Sequence, residues 1–147
     1  MKKPSKSAAL NLMPGHLLRR CQQRAVDLFT AELGEDGPTP RQFALLLCIQ
    51  QNPGATQIEL VRLSGIDRST LAEMLRRLLQ RGLVARQKTD GDRRANALRL
   101  TAEGEVMLVR AVPIVADVQE RILAPIPRGQ RKDLIRLLSL IADLPTR

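Results

Sequence analysis

The sequence predicts a mostly α-helical chain broken once by a two-stranded β hairpin, in the order α-α-α-α-β-β-α-α. Three observations predict it. Apolar residues recur at helical spacing on both sides of residues 84–101. Inside that window the pattern changes to two short strand-like runs around the turn-rich Asp90-Gly91-Asp92-Arg93-Arg94. Cap and stop residues punctuate the chain where short helices need them.

Each element has its own signal. Residues 16–33 place Leu17, Leu18, Cys21, Ala25, Leu28, Phe29 and Ala31 at helical spacing, and Gly34 with Glu35-Asp36-Gly37-Pro38 ends the run. Thr39-Pro40-Arg41-Gln42 opens a second helix with a capping box and a first-turn proline, and Asn52-Pro53-Gly54 stops it. Thr56-Gln57-Ile58-Glu59 opens a short third helix to about Leu63, and Ser64-Gly65 turns the chain. Asp67 caps a fourth helix to about Arg81, stopped by Gly82. Strands are expected at Val84–Thr89 and Asn96–Thr101. Thr101 caps a long fifth helix to about Leu123, kinked at Pro113, and Pro125 and Pro127 set off a last helix with Leu134, Ile135, Leu137, Leu138, Ile141 and Leu144 on its apolar side.

The chain has 147 residues, 44% hydrophobic and 27% charged, which suits one domain with a real core. The net charge of +9 is uneven: residues 1–31 and 56–101 each carry +5, whereas 102–147 carry +1. A basic middle points to an anionic partner. There is no Trp or Tyr and only Phe29 and Phe43, so base stacking on single strands is disfavoured. No apolar run reaches the roughly 20 residues of a membrane span, so no membrane partner is expected. Cys21 and Cys48 make no disulfide framework, and with His16 alone they give no metal set, which fits a reducing cytoplasm. One histidine, no paired carboxylates and no phosphate-binding glycine loop argue against an enzyme, and no catalytic residue or cofactor is expected.

Residues 56–81 form two helices around the Ser64-Gly65 turn. The second sends Leu71, Leu75, Leu78 and Leu79 inward and displays Arg68, Ser69, Thr70, Glu73, Arg76, Arg77 and Gln80 outward. This is the pattern of a helix-turn-helix, whose second helix fits the major groove of double-stranded DNA. A solvated helix face would look similar. The hairpin that follows, with Arg86 on its first strand and Arg93 and Arg94 at its tip, decides for DNA. An arginine on a narrow hairpin tip suits the adjacent minor groove.

The runs Leu83-Val84-Ala85-Arg86, Asp90-Gly91-Asp92-Arg93-Arg94 and Leu98-Arg99-Leu100-Thr101-Ala102-Glu103-Gly104 resemble the wing signature of the MarR family of bacterial transcriptional regulators. Ser69-Thr70-Leu71 and Leu78-Leu79-Gln80-Arg81-Gly82 are similar to its recognition helix. The resemblance runs from about His16 to Leu144. It implies one winged helix-turn-helix domain over residues 1–147, with a DNA-binding lobe at about 39–101 and dimerisation helices at about 10–34 and 102–144. It also implies an intertwined homodimer on a pseudo-palindromic site at the bacterial nucleoid. The sequence supports the dimer independently, because the terminal helices hold more Leu, Ile and Val than a short helix can bury in its own subunit. The resemblance further implies a repressor released by a small molecule, an aromatic acid or its coenzyme A thioester.

For that effector, His16, Arg19, Arg20 and Arg24 are the candidate contacts, since arginine binds carboxylate or phosphate through two parallel bonds. Surface or inter-subunit ion pairs are the other reading of these residues. Two further alternatives stay open: redox sensing through Cys21, flanked by Arg20 and Arg24, and a nucleoid-type protein that binds DNA without sequence preference.

Overall fold

Capping chemistry sets most helix boundaries in the computed structural model, which describes residues 9–87 and 97–145. Helix α1 (Pro14–Leu33) starts two residues before the periodic stretch, because proline suits the first helical position. Helix α2 (Pro40–Gln51) opens with both halves of a capping box: Gln42 N donates to Thr39 Oγ1 at 3.2 Å, and Thr39 N donates to Gln42 Oε1 at 3.1 Å. Thr56 and Glu59 repeat the device at α3 (Gln57–Ser64), at 3.3 and 2.7 Å. Gly65 ends α3 at φ +68°, a left-handed conformation that other residues adopt only with strain. Asp67 Oδ1 accepts from Thr70 N at 2.9 Å and opens α4 (Arg68–Gln80).

Strand β1 (Val84–Gln87) pairs antiparallel with β2 (Ala97–Leu100), Val84 opposite Leu100 and Gln87 opposite Ala97. The other edge of β2 is also engaged: Leu98 N donates to Ala55 O at 3.0 Å, and Gly54 N to Leu98 O at 3.3 Å. Helix α5 (Ala102–Leu123) runs through Pro113 as one helix, and Thr101 Oγ1 accepts from Gly104 N at 3.1 Å at its start. A 3₁₀ turn (Arg128–Gln130) leads into α6 (Arg131–Ile141). The hairpin tip with Arg93 and Arg94 lies outside the described residues.

The chain divides into two compact units. The first spans Phe29–Val115 and contains the helix-turn-helix and both strands. Leu45, Leu46, Ile49, Leu60, Leu71, Leu75, Leu78, Leu98 and Leu108 are at most 1% exposed and form its core. Phe29 and Phe43 meet edge to face, ring centroids 6.0 Å apart. On α4 the core face is Leu71, Met74, Leu75 and Leu78. Leu79, expected inward, is only half-buried, and Met74 takes the core position instead. Residue 79, eight after Leu71, lies at the margin of the stripe, where it packs against the core without being enclosed by it.

The exit of β2 is tied back to the end of α4. Thr101 Oγ1 donates to Gly82 O at 2.6 Å, and Thr101 N donates to Leu83 O at 3.1 Å. Gly104 packs so closely there that a Cβ would collide with the Leu83 carbonyl. Only glycine permits that approach.

The second unit comprises residues up to Leu28 and from Ala116 onward. Within the segment from Ala116 onward, Arg131 ties the start of α6 to α5 and its connection, donating to Glu120 Oε2 at 3.0 Å and to Ile126 O at 3.1 Å. Its apolar side chains are largely uncovered: Leu17, Leu18, Ile135, Leu137, Leu138, Leu140, Ile141 and Leu144 are 38–63% exposed.

Candidate nucleic-acid interface

Helix α4 sorts its residues sharply. One stripe lies in the core, and Arg68, Ser69, Glu73, Arg76, Arg77 and Gln80 are exposed on the other side, with Thr70 half-exposed. Asp67 holds the helix start: its carboxylate accepts from Thr70 and from Ser69 Oγ at 2.9 Å, and these bonds lower its pKa to about 2. The cap therefore stays ionised in the neutral range.

A groove of about 450 Å³ runs between α4 and the start of α2, lined by Thr39, Arg41, Gln42, Ser69, Thr70, Glu73, Met74 and Arg77. The structure thus gathers Ser69, Thr70, Glu73 and Arg77 in one place. It adds Thr39, Arg41 and Gln42, which sequence reasoning had treated as helix-opening residues only. Their signal was present in the position of Arg41 in the first turn of α2, but the proximity of α2 to α4 is a tertiary fact. The groove combines two arginines, three hydroxyls and the amino end of a helix, groups of the kind that bind phosphate, with the Glu73 carboxylate beside them.

Glu73 is the centre of an ion-pair cluster. Arg76 donates to it twice, Nε to Oε2 at 3.0 Å and Nη2 to Oε1 at 2.8 Å, and Arg77 Nε donates to Oε1 at 3.0 Å. These bonds, those from Arg76 first, lower the Glu73 pKa to about 2 and raise that of Arg76. Arg86 is exposed on β1.

The four effector candidates do not converge. Arg19 Nη2 lies 3.3 Å from His16 Nδ1. Arg20 and Arg24 instead line a hollow of about 540 Å³ with Leu17, Cys21, Gln23, Asp27 and Leu28. The side chain of Arg19 reaches back one turn to His16, whereas Arg20 and Arg24 stack at i, i+4 beside the hollow. Cys21 is exposed there, whereas Cys48 packs against the core and burial raises its pKa.

Within the Phe29–Val115 unit lies a larger cavity of about 620 Å³ that sequence reasoning missed. Leu33, Pro38, Leu83, Val106, Met107 and Ile114 give it apolar walls, and its charged lining is Arg110 with Asp36 and Glu103. Val106, Arg110 and Ile114 follow at helical spacing, but the opposing wall comes from the end of α1, the α1–α2 connection and Leu83, distant in sequence. Among the described residues no cluster of metal-binding side chains occurs, and no helix is long and apolar enough to cross a membrane.

Residues 39–95 match the MarR family. The transcriptional regulator HosA of Escherichia coli O157:H7 is 34% identical over 123 residues, 84% of this chain and 90% of that protein. Among solved structures, the PcaV transcriptional regulator from Streptomyces coelicolor, in complex with its natural ligand, superposes with a TM-score of 0.84 at 33% identity, covering 97% of this chain and 98% of that one. The transcriptional repressor CouR bound to a 23-mer DNA duplex superposes with a TM-score of 0.84 at 34% identity, covering 95% and 99%. CouR is also known bound to p-coumaroyl-CoA, with a TM-score of 0.83 at 32% identity over 95% and 98%. The expected winged helix-turn-helix fold matches these structures, and the chain belongs to the MarR family of transcriptional regulators.

Proposed function

We propose that this protein is a ligand-released repressor that binds a discrete, pseudo-palindromic DNA site as a homodimer. The observation that carries the reading is the split character of α4, with one side locked in the core and the other presenting Arg68, Ser69, Thr70, Glu73, Arg76 and Arg77. A helix anchored this rigidly offers its outer face to a major groove without reordering. Arg86, Arg93 and Arg94 extend the contact from the wing. The uncovered apolar side of α6 supports pairing with a second copy, and the DNA complex of CouR supports the DNA partner.

The effector we propose is an aromatic carboxylate or its coenzyme A thioester, as CouR with p-coumaroyl-CoA suggests. The cavity of about 620 Å³ falls in the range of small-ligand sites, its apolar walls suit an aryl ring, and Arg110, which shares the lining with Asp36 and Glu103, is the group there that pairs with a carboxylate. Arg20 and Arg24, at the separate hollow of the other unit and with His16 and Arg19 nearby in sequence, are the alternative place for such an anion.

Footprinting on the region upstream of its own gene tests the reading, with benzoate, p-coumarate and p-coumaroyl-CoA added in turn. The expected result is one protected inverted repeat, weakened steeply by salt and cleared by an aryl compound. Broad protection without a discrete site would favour the nucleoid-type alternative, and clearance by hydrogen peroxide alone would favour Cys21.

A further inference from the structure

Glu73 stands where a DNA-reading helix gains least from negative charge. Its carboxylate takes three hydrogen bonds from Arg76 and Arg77, two of the three arginines on the outward side of α4. The side chains of Glu73, Arg76 and Arg77 are 48%, 54% and 61% exposed, so the cluster faces solvent and whatever docks on the helix. With Glu73 ionised, the trio presents one net positive charge instead of two.

We propose that Glu73 is a discrimination residue, holding Arg76 and Arg77 away from DNA of arbitrary sequence and releasing them on a site whose base edges donate hydrogen bonds to its carboxylate. The inference rests on the DNA-binding reading and adds to it the base chemistry the helix selects.

The chemistry is asymmetric. A carboxylate only accepts hydrogen bonds. In the major groove only the amino groups of cytosine and adenine donate, while guanine and thymine present acceptors. A phosphate that draws Arg76 or Arg77 away leaves Glu73 facing negative charge with nothing to bond. At a site with a well-placed amino group the carboxylate keeps a donor while the arginines move to phosphates or guanine edges. Exposed ion pairs are individually weak, so the cluster opens readily when a matching duplex supplies the replacement. It penalises mismatched DNA without locking the helix.

The test compares wild type with Glu73→Gln, Glu73→Ala and, as a charge control away from this helix, Glu35→Gln. Wild-type protein first selects a consensus from randomised duplexes. Fluorescence anisotropy then measures affinity for that consensus and for a scrambled duplex of equal composition across a salt series. Both Glu73 variants are expected to bind the scrambled duplex about tenfold more tightly, with the salt slope steeper by about one phosphate contact. Consensus affinity changes less, so the specificity ratio narrows at least about fivefold. Glu35→Gln is expected to shift both duplexes alike, by under about twofold, as distant exposed charges are screened. An unchanged ratio and slope in both Glu73 variants, with wild-type melting curves, would overturn the inference alone. Failure of the wild type to select any consensus would overturn it together with the DNA-binding reading.

Discussion

The two compact units of this chain treat their leucines in opposite ways. In the Phe29–Val115 unit, leucines from α2, α3, α4, β2 and α5 close on one another and leave almost no surface. In the unit formed by the chain ends, Ile135, Leu137, Leu138, Leu140 and Ile141 follow one another along α6 with about half their surface in water. Burial of apolar area is the main favourable term in folding, so the first unit is complete by itself and the second is not. An unfinished core at the chain ends and a finished one around α4 suit the proposed dimeric regulator, in which the finished unit would carry the recognition surface and the unfinished one the pairing surface.

The largest way to break this comparison is to make the open face unable to close on a second copy. Leu137→Asp adds a charge at its centre. Sedimentation should show a monomer, and affinity for the selected duplex should fall by about a hundredfold or more as bivalent binding is lost. An intact dimer would count against the α6 surface as the interface.

A matched pair of glycine substitutions sharpens the contrast. Gly104→Ala forces a Cβ onto the Leu83 carbonyl inside the closed unit, whereas a Cβ at Gly129 meets nothing within 4 Å. Thermal melting should place Gly104→Ala about 1–3 kcal/mol below wild type, the range of overpacked sites, and leave Gly129→Ala close to it. Equal melting temperatures would mean that the joint of Gly82, Leu83, Thr101 and Gly104 is looser than its hydrogen bonds indicate.

The smallest effect concerns Asp67. Its pKa is lowered from 3.8 to about 2 by the bonds it accepts from Thr70 and Ser69. A depressed carboxylate stabilises the fold above its unfolded pKa, and that contribution disappears as pH falls through the folded value. The melting-temperature gap between wild type and Asp67→Asn should therefore be constant near neutrality and shrink between about pH 4 and about pH 2. A gap that does not change with pH would remove the ionised cap from the account.

Local features of the chain were readable from its sequence, and non-local ones were not. Thr39 with Gln42, Thr56 with Glu59, and Asp67 act over three residues, so their spacing alone announces the helix starts. Met74 was overlooked in favour of Leu79 because hydrophobicity suggested the leucine, while the angular position on α4 decided for the methionine. Glu73 was legible as an outward residue, and its spacing to Arg76 and Arg77 contained the ion pairs, yet only the side-chain geometry shows one carboxylate engaging both. The groove between α2 and α4 and the cavity beside Arg110 were beyond reach, because their walls join segments that are distant in sequence.

Native mass spectrometry of the protein mixed with its selected duplex tests the central claim most directly. The account predicts a single complex of two 16.4 kDa chains per duplex, absent when either half of the inverted repeat is scrambled. One chain per duplex, or a ladder of added chains indifferent to the scrambling, would contradict it.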